Sequence, residues 1–528
     1  MLMAVGLLVG LVPLLPVGVA MANDAIVGGA CTEADFDTAL AAAQTNGGGT
    51  ITFACGAVTT IVFDDVKTIL AGNTVVVDGA GVMTLDGADA TRLFDVQGGA
   101  TLEIRNITLT NGQASSNGGA IRNNSGGTVT IANSTISSSS NTGGNAGALE
   151  NSGSGAVMTI TDSLFHDNYA SSDGAVIDTN SGTTLTIQRS VFRDNTADDD
   201  GGAIELDGGT VTIEDSVFDD NYSDSDGGAI DVDGGVVTIS GTTFVDNEAS
   251  EEGGALENED GDVTITNSTF SGNYTDGDGG AIFADDYTNG IIRLNSSTIA
   301  FNEADDEGGG IYEDGGTIYL LNTIIVENIG GDCDGSFESQ GYNLDSDDSC
   351  DLDLLLNDIP AGTADLDELA DNGGPTETHL LDVNSDALDA GDPNCPALDQ
   401  RGLPRPSGAG CDIGAVEVQT ASQQVLCANQ YTGQLVSPRS GVCASSLVEL
   451  EAPDSYPMTF CVNPYTGAVR YAANGNCGYG QPHVVPDDGN LFTCVNPYTG
   501  ANRWVETYGA CLPHELPNLV PAEAYQPI

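Results

Sequence analysis

Carboxylates are the side chains most able to do chemistry in this chain, and they recur at a fixed spacing. Asp200, Asp226, Glu252, Asp278 and Glu307 each stand just before a Gly-Gly-Ala-Ile tetrad or a near variant of it. Asp207, Asp233, Glu259, Asp285 and Asp314 follow the tetrad, with Glu205, Asp231 and Glu257 in between. If like positions stack at the ~4.8 Å spacing of paired strands, these acids form columns. Neighbouring carboxylates in such a column repel by roughly 1 kcal/mol even in bulk water. Oxygen-rich, Gly-flanked acids suit Ca²⁺, so the columns are candidate sites where Ca²⁺ bridges adjacent repeats. The alternative is a solvated, salt-adapted surface that prevents aggregation. The nine-residue calcium-roll repeat is absent.

Other chemistry has fewer candidates. Paired carboxylates could hydrolyse glycosides, but among 78 acids any single pair carries little information. A polysaccharide lyase needs a base to abstract a proton, and the repeat region offers only Arg92, Arg105, Arg122, Arg189, Arg193 and Arg293. The best catalytic group that can be assembled is Arg189, Arg193 and His166 with Asp167 and Asp194; ordinary surface decoration is the simpler account of it. His379, His483 and His514 lie outside the repeats. Exposed Tyr431, Tyr465, Tyr471, Tyr498 and Trp504 could stack on sugars, or pack within small hairpins.

The elements that must position these residues are repeats. The tetrad or a variant begins at Gly118, Ala146, Asp173, Gly201, Gly227, Gly253, Gly279 and Gly308, about eight copies of a unit of 26 to 29 residues. Each unit reads as three short strands: the tetrad, a run such as Thr210 to Glu214, and a run such as Ser216 to Asp220. Gly, Asn and Asp clusters separate them as turns. The third strand carries Ile136, Phe165, Phe192, Phe218, Phe244, Phe270, Ile299 and Ile325, followed three residues on by Asn168, Asn195, Asn221, Asn247, Asn273, Asn302 and Asn328. One unit per coil stacks the first set inside and lets the second bond from coil to coil. The fold expected is all-β, a right-handed parallel β-helix in which neighbouring coils stabilise one another.

Outside the repeats, residues 1–22 read as a signal peptide with a small-x-small site at Ala20-Met21-Ala22, though the stretch could instead stay as a membrane anchor. Residues 23–100 hold an N-terminal cap and the first coils. There Asp35 to Gln44 places Phe36, Leu40 and Ala43 on one helical face, and coiling is expected from about residue 48. The repeats occupy 101–330 and a distinct block 331–417. Residues 418–528 form a Cys-rich region of three CxNxYTG repeats, small units that need disulfide staples. The 12 Cys fall into sequential pairs: Cys31–Cys55, Cys333–Cys350, Cys395–Cys411, Cys427–Cys443, Cys461–Cys477 and Cys494–Cys511. A formal charge of −66 with a single Lys excludes nucleic acid as a partner, since no basic stripe meets phosphates, and disfavours anionic membranes. Such charge calls for salt or divalent cations in the working environment. No stretch after the leader is long and apolar enough to span a bilayer.

The pairing of GGA[ILV] with FxxN, as in Phe165-His-Asp-Asn168 through Phe270-Ser-Gly-Asn273, resembles the polymorphic outer-membrane protein repeat of bacterial surface adhesins over residues 101 to 330. Residues 369 to 417, with Ala387-Leu-Asp-Ala-Gly391, Arg401, Arg405 and Cys411-Asp-Ile-Gly-Ala-Val-Glu417, resemble the choice-of-anchor Q domain that closes many secreted bacterial β-helix proteins. These resemblances imply a β-helix displayed outside the cell, with adhesion as the usual role of the first family. The outer-membrane barrel that ends those adhesins has no counterpart in the run of strands here. The expected function is non-catalytic contact with an extracellular glycan or surface protein. The alternative is a polysaccharide lyase or glycoside hydrolase on the same scaffold.

Overall fold

A run such as Thr-Leu-Thr-Ile has one apolar side and nothing in its own coil to hide it against, so the next repeat must supply the partner. In the computed structural model, which describes residues 24–45, 47–285 and 290–419 and the backbone of eight strands between 426 and 520, it does. Thr184–Gln188 pairs in parallel with residues 210–214, setting Leu185 beside Val211 and Ile187 beside Ile213. All four are buried. The same in-register pairing repeats coil after coil, giving a parallel β-helix of about 12 turns, with one α-helix among the described residues. The chain divides into two compact units, residues 1–402 with 412–416 and residues 403–411 with 417–528.

Both predicted ladders form. Phe165, Phe192, Phe218, Phe244 and Phe270 stack in the interior with ring centroids 4.8, 4.8, 4.9 and 4.5 Å apart and planes within 8°. The Asn side chains bond from coil to coil: Nδ2 of Asn195 donates to Oδ1 of Asn221 at 2.8 Å, and Asn221 to Asn247 at 2.9 Å. The Asp before Asn195, Asn221 and Asn247 turns the corner in the left-handed region, with φ of +54° at Asp194, +57° at Asp220 and +52° at Asp246. Asp and Asn tolerate that conformation better than most residues. A second ladder comes from hydroxyls at the preceding corner, where the N–H of Ser163 donates to Oγ of Ser190 and that of Ser190 to Ser216, each at 3.2 Å.

Two features extend the expected three strands per coil. After each Asn from Asn168 to Asn302 a two-residue strand, such as Tyr222–Ser223, joins a separate eight-stranded sheet. Coiling also starts earlier than residue 48, because Ala25–Val27 pairs in parallel with residues 51–53. Helix α1 (Glu33–Gln44) follows, started by a capping box between Thr32 and Asp35 and burying Phe36, Ala39, Leu40 and Ala43. The one Lys, Lys67, is buried and reaches Glu33 at 2.5 Å and Asp37 at 2.8 Å, which ties α1 to the first coils. The disulfides Cys31–Cys55 and Cys333–Cys350 are present, and Cys395 and Cys411 are both disulfide-bonded.

Beyond residue 363 the first unit runs back along the outer side of the third strands. Oγ1 of Thr376 donates to the carbonyl of Gly241 at 2.9 Å, Nε2 of His379 lies 3.0 Å from Oγ of Ser271, and the N–H of Ala415 donates to Oγ1 of Thr298 at 3.1 Å. Arg401 is held by Asp399, and in the second unit Arg405 faces Glu417 at 3.6 Å with both side chains buried. Further along that unit, the described strands of the C-terminal repeats pair as antiparallel hairpins, for example Cys461 with Arg470 and Cys494 with Arg503. Residues 1–22 and the side chains that would form Cys427–Cys443, Cys461–Cys477 and Cys494–Cys511, like those of Tyr431, Tyr465, Tyr471, Tyr498 and Trp504, lie outside the described residues.

Candidate metal centre

In the first strand of each coil the pleat points every second residue outwards. Register brings these outward residues into one line: Asp95 beside Arg122, Arg122 beside Glu150, Glu150 beside Asp178, Asp178 beside Glu205, and Glu205 beside Asp231. Glu257 continues the line, followed by Phe283 and Tyr312, whose rings stack at 5.4 Å. An outward acid is ordinarily solvated. Here Glu205, Asp231 and Glu257 are only 2%, 4% and 3% exposed.

The tetrad explains this burial. Its first glycine has φ of +62° at Gly174 and at Gly201, so the turn curls back over the strand that follows it. A Cβ on Gly174 would stand 2.4 Å from the carbonyl oxygen of Ile177 and 3.1 Å from Cβ of Glu205. Only glycine permits both the conformation and the approach, and the result is a roof over the acidic line.

Compensation along the line is uneven. Arg122 pairs with Asp95 at 2.6 Å. Oγ of Ser152 donates to Glu150 at 2.6 Å, and Asp178 accepts from Nδ2 of Asn117 and of Asn180, each at 3.0 Å. From Glu205 to Glu257 the supply of donors ends. Asp231 accepts from the N–H of Val232 at 3.0 Å, while Oε2 of Glu205 and Oε2 of Glu257 are buried with no hydrogen-bond donor. One oxygen from each of Glu205, Asp231 and Asp233 lies within 4.8 Å of the other two, the one such ligand cluster among the described residues.

The electrostatic consequence is a set of carboxyl groups that resist ionisation. Burial pushes Asp231 up to about 7, against hydrogen bonds from Glu257 and Glu205 that favour its charge. Burial, then the charge of Asp231, raises Glu205 and Glu257 well above the usual carboxylate range. Burial with neighbouring acids also brings Asp178, Glu252 and Glu259 to about 7 and Asp226 to about 6.

The ten acids predicted as columns flank this line. Asp200, Asp226, Glu252 and Asp278 are half-buried before it and Glu307 is exposed; Asp207, Asp233 and Asp314 are exposed after it, with Glu259 and Asp285 half-buried. Of these ten, Asp233 alone enters the cluster with Glu205 and Asp231. The first flank is partly satisfied by backbone, since the N–H of Asp226 donates to Asp200 and that of Glu307 to Asp278. Glu205 and Asp231 were visible as positions, but alternation alone marks them as solvent-facing, and their burial depends on the roof.

The assembled catalytic group does not converge. His166 and Arg193 are register partners, but His166 lies 2.6 Å from Asp167, Arg193 3.3 Å from Asp194, and Arg189 2.7 Å from Asp162. Each is tied to its own acid at the surface. A separate open cleft of about 670 Å³ lies where the returning segment meets the third strands, lined by Asp219, Asp246, Asp371 and Glu377 among others.

No helix among the described residues is long and apolar enough to cross a membrane. No curated protein and no solved structure matches the chain. Residues 174–336, the coils that carry the buried acids, match the family described as a right handed beta helix region, and that is the fold these coils adopt.

Proposed function

We propose that this protein is a secreted or cell-surface β-helix of bacterial type that makes non-catalytic contact with an extracellular glycan or surface protein, with Ca²⁺ held along its acidic face. The observation that carries this reading is periodicity. The same acidic groups recur once per coil on both sides of one strand, and a face that repeats at the strand spacing suits a ligand that also repeats. The GGA[ILV] and FxxN resemblance to surface adhesins, and that of residues 369 to 417 to the choice-of-anchor Q block, support the same setting. Divalent cations offset repulsion within the columns and could bridge to acidic sugars. The test is a glycan and matrix binding array probed with the full chain, with Ca²⁺ and with chelator. Ca²⁺-dependent retention on a polymeric ligand is expected; no retention under either condition would sink the contact reading.

A further inference from the structure

We propose that Glu205, Asp231 and Asp233 bind a divalent cation of the Ca²⁺ class that bridges two consecutive coils. The inference rests on the cation part of the proposed function and gives the ion a specific address.

Three observations converge on it. The first is spacing: two oxygens on one Ca²⁺, each at about 2.4 Å, can be no more than about 4.8 Å apart, and those of Glu205, Asp231 and Asp233 meet that limit. The second is the pattern of compensation. Every acid of the line from Asp95 to Asp178 has an Arg, Ser or Asn donor, whereas Oε2 of Glu205 and Oε2 of Glu257, both more than nine-tenths buried, have none. A buried carboxylate oxygen without a partner is costly. A proton, a buried water or a cation must satisfy it. The third is the ligand chemistry. The donors are all hard carboxylate oxygens, with no His or Cys in the cluster, which suits Ca²⁺ and disfavours softer metals. Glu205 comes from one coil and Asp231 and Asp233 from the next, a spread that flexible Ca²⁺ coordination accepts more readily than the strict octahedron of Mg²⁺.

A bridging cation and shared protons make opposite predictions about substitution and ion uptake. The experiment is calorimetric titration of the full chain with CaCl₂, alongside thermal melts in chelator. Wild type should bind Ca²⁺ saturably. Asp231→Asn should lose that binding, Glu205→Gln should weaken it at least tenfold, and Glu214→Gln, at an acid outside the cluster, should leave it unchanged. In chelator the first two variants should melt at or above the wild-type midpoint, since each removes a buried acid; that also shows that they fold. Saturable binding of equal affinity in wild type and Asp231→Asn would overturn the proposal. So would no saturable binding at all. A negative glycan array leaves each of these readings unchanged, so failure of the contact reading and failure of the ion site are distinguishable.

Discussion

At the scale of the residue, identical side chains do different work according to which donor stands beside them. Asn221 accepts from the N–H and Nδ2 of Asn195 and donates to Asn247 and to the carbonyl of Phe192. Asn221→Ala should therefore cost about 1–3 kcal/mol by stranding buried partners, measured as a fall in the urea midpoint. The acids of the roofed line behave in the reverse sense. Without divalent ions the folded chain holds protons on Glu205, Asp231 and Glu257 that the unfolded chain releases at about pH 4. The folded state then binds more protons than the unfolded one, so stability falls as pH rises from about 4 through 7. Melting midpoints in chelator should decline across that window, and Glu205→Gln should flatten the decline. A midpoint that instead rises with pH would contradict the burial of these acids.

At the scale of the element, the coil is the unit that the sequence spells out, and its legibility was unequal. The Phe and Asn columns were readable because each pairs a side-chain type with a fixed offset, and stacking at one repeat per coil leaves them a single arrangement. The two-residue strands such as Tyr222–Ser223 were not readable, since two residues carry no period. The hydroxyl ladder through Ser163, Ser190 and Ser216 was hidden because Ser at a turn is ordinary. The buried line was half readable: Glu205, Asp231 and Glu257 could be placed on the first strand, but a roof made by a positive-φ glycine one coil earlier leaves no trace in alternation. Two substitutions test the coil. Phe218→Ala, which opens the stack between Phe192 and Phe244, should cost about 3–5 kcal/mol in denaturant titration. Gly202→Ala, whose Cβ would stand 2.0 Å from the carbonyl oxygen of Gly228, should destabilise by more than the ~1 kcal/mol separating Ala from Gly at a permissive site, with the loss read from the same titration.

At the scale of the whole molecule, a chain of formal charge −66 folds into a solenoid that stacks its acids instead of dispersing them. Stacking is unavoidable once the repeat places an acid at the same position in each coil, so repulsion grows with every coil added. Arginines relieve it only in places, as at Arg122 and Asp95, Arg189 and Asp162, and Arg293 and Asp262. Interior packing of Phe, Ile and Val holds the coils together, while the acidic face sets the ionic conditions under which the stack is stable. Calorimetric melting of the full chain at low ionic strength, in Ca²⁺ and in chelator with Na⁺ added to equal ionic strength, tests that claim most directly. A midpoint clearly higher in Ca²⁺ than in matched Na⁺ is the result predicted. Coincident midpoints would mean that the acidic line is satisfied by protons and solvent alone.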